Sequence, residues 1–191
     1  MTAGPSDEQL AQRALAGEEA AFDELLRRHQ ARVYHLAYVM CRDRDLADDW
    51  AQEAFVRAFE QLRHFDSTRP FIPWLLKVAT NVCLNQVRRG SLTTVSLEAT
   101  EDPDDEPRQI ADEALTPPMR LEQRELVEWV QAAVAELPEK YRVVVVLRHL
   151  EDLEYDEIAA ATGLPLGTVK TFLHRGRERL RQLLQSRLGE A

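Results

Sequence analysis

The tetrapeptide Thr162–Gly163–Leu164–Pro165 constrains this chain more than any other stretch. It separates two helical patterns, Asp156–Ala161 and about Gly167–Leu188. Gly163 can adopt the left-handed backbone that a tight turn demands and that a Cβ would oppose. A turn this short makes its two helices cross steeply. Ile158 and Ala159 supply the inner face of the first helix, and Val169 and Leu173, four apart, anchor the second. Thr168, Lys170, Thr171, His174, Arg175 and Arg177 are left on the outer face or its flanks.

The other periodic segments are helical too, which predicts an all-α fold. Ser6 and Gln9 have the spacing of a capping box. Gly17 ends the first short helix. Phe22, Leu25, Leu26, His29, Val33, Leu36 and Met40 then step by threes and fours. After the charged turn Arg42–Asp45, the residues Leu46, Trp50, Phe55, Phe59 and Leu62 mark a third helix, with these five as its apolar stripe. The stretch His64–Pro70 has turn chemistry, and Pro73 suits the first turn of a fourth helix ending near Arg89. Thr116–Pro117 signals a helix start, with Leu121, Val127, Val130, Val134 and Leu137 continuing it to Pro138. The run Val143–Val146 is strand-like in composition, but it is short and lies among helix formers, so a buried helix is expected.

The formal net charge of −9 first argues against a nucleic-acid partner. Its distribution reverses that argument. Residues 1–90 carry 13 acids and 12 bases, residues 91–118 carry 8 and 1, and residues 119–191 carry 12 and 11. The acidity is therefore concentrated in 91–118, a stretch rich in Gly, Ser, Thr, Pro and acids that predicts a flexible, self-repelling linker. Residues 166–191 carry 6 bases and 2 acids. Two small helical domains, 1–90 and 119–191, are expected on either side of the linker.

A steep helix pair with a basic outer face matches the helix-turn-helix, whose second helix enters the DNA major groove. Arg can hold guanine through two hydrogen bonds, and Lys, Thr and Arg can grip phosphates. An ordinary amphipathic hairpin shares the spacing, but the order of glycine turn, Gly167–Thr168–Val169 and basic residues favours DNA reading. In the N-terminal half, Asp45, Asp48, Asp49, Gln52 and Glu53 form an acidic and polar helix face. Lys77, Asn81, Asn85 and Arg88 step by four, four and three into one polar stripe opposite Leu75, Val78 and Val82. Asn can bond an exposed base edge while Lys and Arg hold the backbone. By themselves both faces also suit plain solvation.

With these residues in place, Glu136–Leu184 resembles the fourth-region domain of extracytoplasmic-function sigma factors. The marks are Leu137–Pro138, Tyr141–Arg142, Glu157–Ile158–Ala159, Gly167–Thr168–Val169 and Arg175 with Arg177. The resemblance implies docking on the beta flap of RNA polymerase and reading of the minus-35 promoter element. Lys170, Thr171, His174 and Arg175 would contact bases or their surroundings, with Thr168 and Arg177 on phosphate. Phe172, Gly176 and Asp152 depart from that family's usual basic residue, Ala and Gly. Asp45–Phe65 resembles the family's polymerase-binding helix, on Asp48, Asp49, Gln52, Glu53, Phe55 and Arg57. This implies a contact with the beta-prime clamp helices. Phe71–Gly90 resembles the minus-10 reading helix, which implies DNA roles for Lys77, Asn81, Asn85, Arg88 and Arg89. A flipped base would enter a pocket at the preceding loop, Phe65, Asp66, Ser67 and Thr68. Thr80 and Asn85 depart from a common Arg and Asp.

The resemblance also implies promoter DNA, core RNA polymerase and an anti-sigma factor as partners, with a linker running toward the RNA exit path. Neutralising Glu101, Asp102, Asp104, Asp105 and Glu106 should then alter initiation or promoter escape. The residues alone leave open a conventional helix-turn-helix regulator that binds DNA without polymerase. An enzyme is disfavoured: His29, His35, His64, His149 and His174 are scattered, and no phosphate-cradling GxxxxGK[ST] loop is present. Cys41 and Cys83 lie on apolar helical patterns outside any Cys/His cluster, so no metal site is expected and both thiols should be inert and buried. No cofactor is expected. A polar, acidic N-terminus and the lack of a long apolar run predict a cytoplasmic protein without membrane insertion.

Overall fold

The computed structural model describes residues 4–93 and 129–189, and all of its regular structure there is helical. Helix α1 (Asp7–Leu15) opens on the expected capping box: Ser6 Oγ accepts from the Gln9 backbone N–H, and the Ser6 N–H donates to Gln9 Oε1 at 3.0 Å. Gly17, at φ 93°, turns the chain into α2 (Glu19–Cys41). Arg42 closes α2 in a left-handed conformation, and Asp43 caps α3 (Arg44–Gln61) by accepting from the Leu46 N–H at 2.8 Å. A 3-10 turn, Leu62–His64, leads to α4 (Phe71–Thr93). The first turn of α4 is capped from afar, because the Phe71 N–H donates to Glu8 Oε1 at 3.0 Å. Helix α4 runs past the boundary expected near Gly90.

Four alanines on one face of α3, Ala47, Ala51, Ala54 and Ala58, are buried and let it lie close against its neighbours. Leu25, Leu36, Leu75 and Leu76 fill the space between the helices. Two members of the expected α3 stripe are not core: Leu46 is 45% exposed and Phe59 57%. Periodicity identifies an amphipathic helix but not how wide a stripe its neighbours cover. Phe59 stacks edge-on against half-buried Phe22 (centroids 4.9 Å apart), and Leu46 lies at the rim.

In the second half, residues 129–135 are helical (α5), followed by α6 (Glu139–His149), α7 (Tyr155–Thr162) and α8 (Leu166–Gly189). The run Val143–Val146 is helical as expected and wholly buried, because α6 packs against α2, α7 and α8 together. Surroundings on every side override the β-preference of four successive valines. Asp152 stands in the left-handed region at φ 53°, a conformation that glycine adopts more readily.

The two halves meet directly, α7 on α4 and α6 on α2. Arg142 ties them together. Its guanidinium donates to the Met40 carbonyl of α2 at 2.9 Å, to the Ala135 carbonyl at the end of α5 at 2.5 Å, and to the Leu137 carbonyl just beyond it at 3.0 Å. His35 and Gln131 make a further bond across the junction, 3.3 Å between nitrogens. Residues 94–128 lie outside the described residues. They include Thr116, Pro117, Leu121 and Val127, the acidic positions Glu101 to Glu106, and all of the expected linker beyond Thr93.

Candidate nucleic-acid interface

The turn of the helix-turn-helix forms as the sequence predicts. Gly163 caps α7 at φ 72°, its N–H donating to the Ala159 carbonyl at 2.9 Å. Glu154 and Glu157 form a capping box at the other end of α7, and the Arg148 guanidinium reaches Glu154 at 3.0 Å. Val169 and Leu173 are fully buried and fix α8 to the body of the domain. Lys170, Thr171, His174, Arg175 and Arg177 are exposed, and Thr168 is half-buried at the start of the helix. Two of these side chains are already engaged. Thr171 Oγ1 donates to the Gly167 carbonyl, and Arg177 Nε–H donates to His149 Nε2 at 3.0 Å. Burial and then the Arg177 charge lower the pKa of His149, so its ring is held neutral and able to accept. Lys170, His174 and Arg175 make no hydrogen bond or ion pair among the described residues; Lys170 and His174 lie one turn apart, and Arg175 follows beside them on the exposed side of the helix.

The stripe on α4 is also laid out as expected. Lys77, Asn81, Asn85, Arg88 and Arg89 are exposed, while Leu75, Val78 and Val82 are buried behind them. Lys77, Asn81 and Asn85 make no hydrogen bond or ion pair among the described residues; Arg88 and Arg89 each have an interaction. Thr80, four residues before Leu84, is fully buried and therefore no part of this face. The loop before α4 divides in two. Phe65 is buried against Phe71 and Trp74, with centroids 5.4 and 5.1 Å away, and forms the floor of the loop. Asp66 and Thr68 are exposed above it, and Ser67 is half-buried. Asp66 accepts from the Thr68 hydroxyl and N–H, which hold its carboxyl below the usual range. Ser67 accepts from Gln12 of α1 at 2.9 Å.

The acidic face of α3 is exposed at Asp45, Asp48, Asp49, Gln52 and Arg57. Glu53 is not free, since it accepts from Gln86 of α4 at 2.6 Å and lies 3.5 Å from Arg57. Sequence reasoning missed the apolar part of this face. Val56 is 59% exposed beside Phe59, and both line an open cleft of about 1900 Å³ with Asp45, Asp48 and Gln52. Phe59 reads as part of an apolar stripe in the sequence, but whether it and Val56 stay uncovered depends on which neighbouring helices reach them.

Cys83 is buried and Cys41 half-buried; burial pushes their thiols up to about 12 and about 11, so neither is a thiolate near neutral pH. No group of three or more potential metal ligands occurs among the described residues, and no helix among them is long and apolar enough to cross a membrane.

Two family models match the chain: Sigma-70 region 2 over residues 25–93 and Sigma-70 region 4 over residues 127–180. The first takes in the face of α3 and the stripe of α4, the second the helix-turn-helix. The chain is 35% identical over 172 residues to the ECF RNA polymerase sigma factor SigW of Bacillus subtilis, covering 88% of this chain and 91% of that protein. Among solved structures it is similar to CnrH in complex with the cytosolic domain of CnrY, with TM-score 0.66 and 25% identity, covering 95% of this chain and 99% of that one. It shares its fold with the sigma factor RpoE of Bartonella quintana, solved with the anti-sigma factor NepR, at TM-score 0.65 and 21% identity, covering 86% and 96% of the two chains. The relatedness extends over both halves in the same order, and the chain belongs to the extracytoplasmic-function family of RNA polymerase sigma factors.

Proposed function

We propose that this sigma factor reads two promoter elements with two exposed helix faces and holds polymerase with a third. Lys77, Asn81, Asn85, Arg88 and Arg89 on α4 would take the unstacked minus-10 strand, with Asp66, Ser67 and Thr68 bordering the flipped base over Phe65. Lys170, Thr171, His174 and Arg175 on α8 would read the minus-35 duplex, with Thr168 near its phosphates. Arg177 would reach phosphate by leaving His149, or act by orienting that histidine. The observation that carries the reading is the exposure of both polar faces on helices whose opposite sides are buried.

Asp45, Asp48, Asp49 and Gln52, with Val56 and Phe59 at their edge, would engage the beta-prime clamp helices of core polymerase. Acidic side chains steer and orient such a contact, and exposed aromatic residues supply its affinity. Glu53 and Arg57 would support the surface from within α3. Recognition and melting then proceed by binding alone, without an enzymatic step, in the cytoplasm where core polymerase resides. An anti-sigma factor is the natural antagonist, as RpoE has in NepR.

Core polymerase reconstituted with this chain should start transcripts at specific promoters. Arg175→Ala should weaken use of the upstream element, and Asn81→Ala should weaken melting. A tight footprint from the protein alone, with no specific transcription gained by core polymerase, would instead support a conventional regulator.

A further inference from the structure

Helix α8 rests on the domain along Val169, Leu173, Gly176 and Leu180, and at the third of these positions it has no side chain. Gly176 is buried, and a Cβ built on it would lie 2.7 Å from Val145 Cγ2 and 3.4 Å from Tyr141 Cβ. A methyl of Val145 on α6 therefore occupies the space an alanine would need. Glycine is among the poorest residues inside a helix, so helix propensity alone would favour alanine here. The close approach of α6 and α8 opposes it.

The neighbours cannot easily yield. A helical valine is held near one χ1 rotamer. Tyr141 packs edge-on against Phe172 at 5.4 Å, under the ammonium of Lys140. A side chain at position 176 must push α8 away from α6. Arg175 precedes that contact by one residue, and His174, Thr171 and Lys170 lie within the two turns before it, on the exposed side of the helix. Any displacement there is passed to all four. Hydrogen bonds to base edges tolerate only a few tenths of an ångström, whereas charge contacts to phosphate tolerate more.

We propose that Gly176 is a positioning residue for upstream-element recognition: by letting Val145 pack against bare backbone, it sets how deeply α8 presents Lys170, Thr171, His174 and Arg175 to the major groove. The proposal rests on the minus-35 reading given above. It makes Val145 and Gly176 a complementary pair, so a methyl gained at one should be compensated by methyls lost at the other.

The experiment uses the full chain with core polymerase on promoters that share one minus-10 element and carry either the preferred or a mismatched minus-35 element. Gly176→Ala should lower the preference for the matched element by about tenfold, the order of one lost base contact. Its thermal midpoint should also fall, although helix propensity alone would raise it. Val145→Ala with Gly176→Ala should recover most of the preference. Undiminished discrimination in Gly176→Ala overturns the proposal, as does a double variant that melts like the parent but stays indiscriminate. If Gly176→Ala does not fold, the double variant decides alone, with failure to fold or to discriminate counting against the pairing. Arg175→Ala is measured alongside: if it leaves discrimination intact, the minus-35 reading itself has failed, a result distinct from any behaviour of Gly176.

Discussion

Arg32 Nε stands 2.9 Å from Glu151 Oε2, pairing α2 with the turn that follows α6. The N–H is not aimed along that line, and Glu151 Oε2 takes no hydrogen bond among the described residues. Only 2% of the Glu151 side chain is exposed, against 38% for Arg32. Burial raises the Glu151 carboxyl to about 7, with Arg32 pulling it down and Asp152 pushing it up. Desolvation wins because a single partner in poor alignment does not replace the lost water.

That balance has a definite sign in pH. The folded chain binds the Glu151 proton more tightly than the unfolded chain, so this group's stability contribution is largest below about pH 4.5 and is lost as pH rises to 7. The loss is on the order of 2–3 kcal/mol. His35 and His149, whose pKa values burial lowers, work oppositely, weakening the fold as pH falls below their ordinary values. Glu151→Gln isolates the carboxylate. Its denaturant midpoint should exceed the parent's at pH 7.5 and approach it at pH 5; equal increments at both would refute the linkage. Asp152→Gly should move the Glu151 transition to lower pH.

Arg142 supplies three carbonyls that would otherwise lack that partner, and burial lowers its pKa without making it neutral in the accessible range. Arg142→Ala should cost at least about 3 kcal/mol, read from chemical denaturation. Arg142→Lys should recover only part, because an ammonium cannot match the planar fork of guanidinium.

At Gly163 the cost of substitution lies wholly in the backbone, since a Cβ there would meet nothing within 4 Å. Gly163→Ala should therefore lose only about 1–2 kcal/mol, a drop of a few degrees in thermal midpoint. Below that midpoint, upstream-element use should be retained. A much larger loss would mean that the turn tolerates no side chain.

Phe59 is exposed enough for a functional test with little damage to the fold. Phe59→Ser forfeits its edge-on contact with Phe22, worth about 0.5–1.5 kcal/mol. Affinity for core polymerase should fall by at least about tenfold in a binding titration, the scale of an interfacial aromatic anchor.

The features legible in the sequence are those set by neighbours within a turn or two. Ser6 and Gln9 announce a cap, Gly163 a left-handed turn, and Lys77, Asn81 and Asn85 a common face, because helical spacing fixes such relations. What was not legible depends on segments meeting across the chain. Glu8 caps α4 at Phe71, Gln86 engages Glu53, and Arg142 reaches Met40 over 102 residues of sequence. The exposure of Val56 and Phe59 belongs to the same class, for it depends on which neighbouring helix fails to cover them. Gly176 is an intermediate case: its place on the inward stripe is readable, but the methyl of Val145 in its gap is not.

The seating of α7 against α4 limits span. Helices in contact lie about 8–10 Å apart, so α4 and α8 are roughly two such steps from each other where both touch α7. Elements named minus-10 and minus-35 are about 25 base pairs apart, on the order of 85 Å of duplex at 3.4 Å per pair. For a chain that grips both, the joined body is too short a bridge. Parting α7 from α4 would turn a compact particle into a caliper, its jaws being the two halves that Arg142 and the seating of α6 on α2 hold shut.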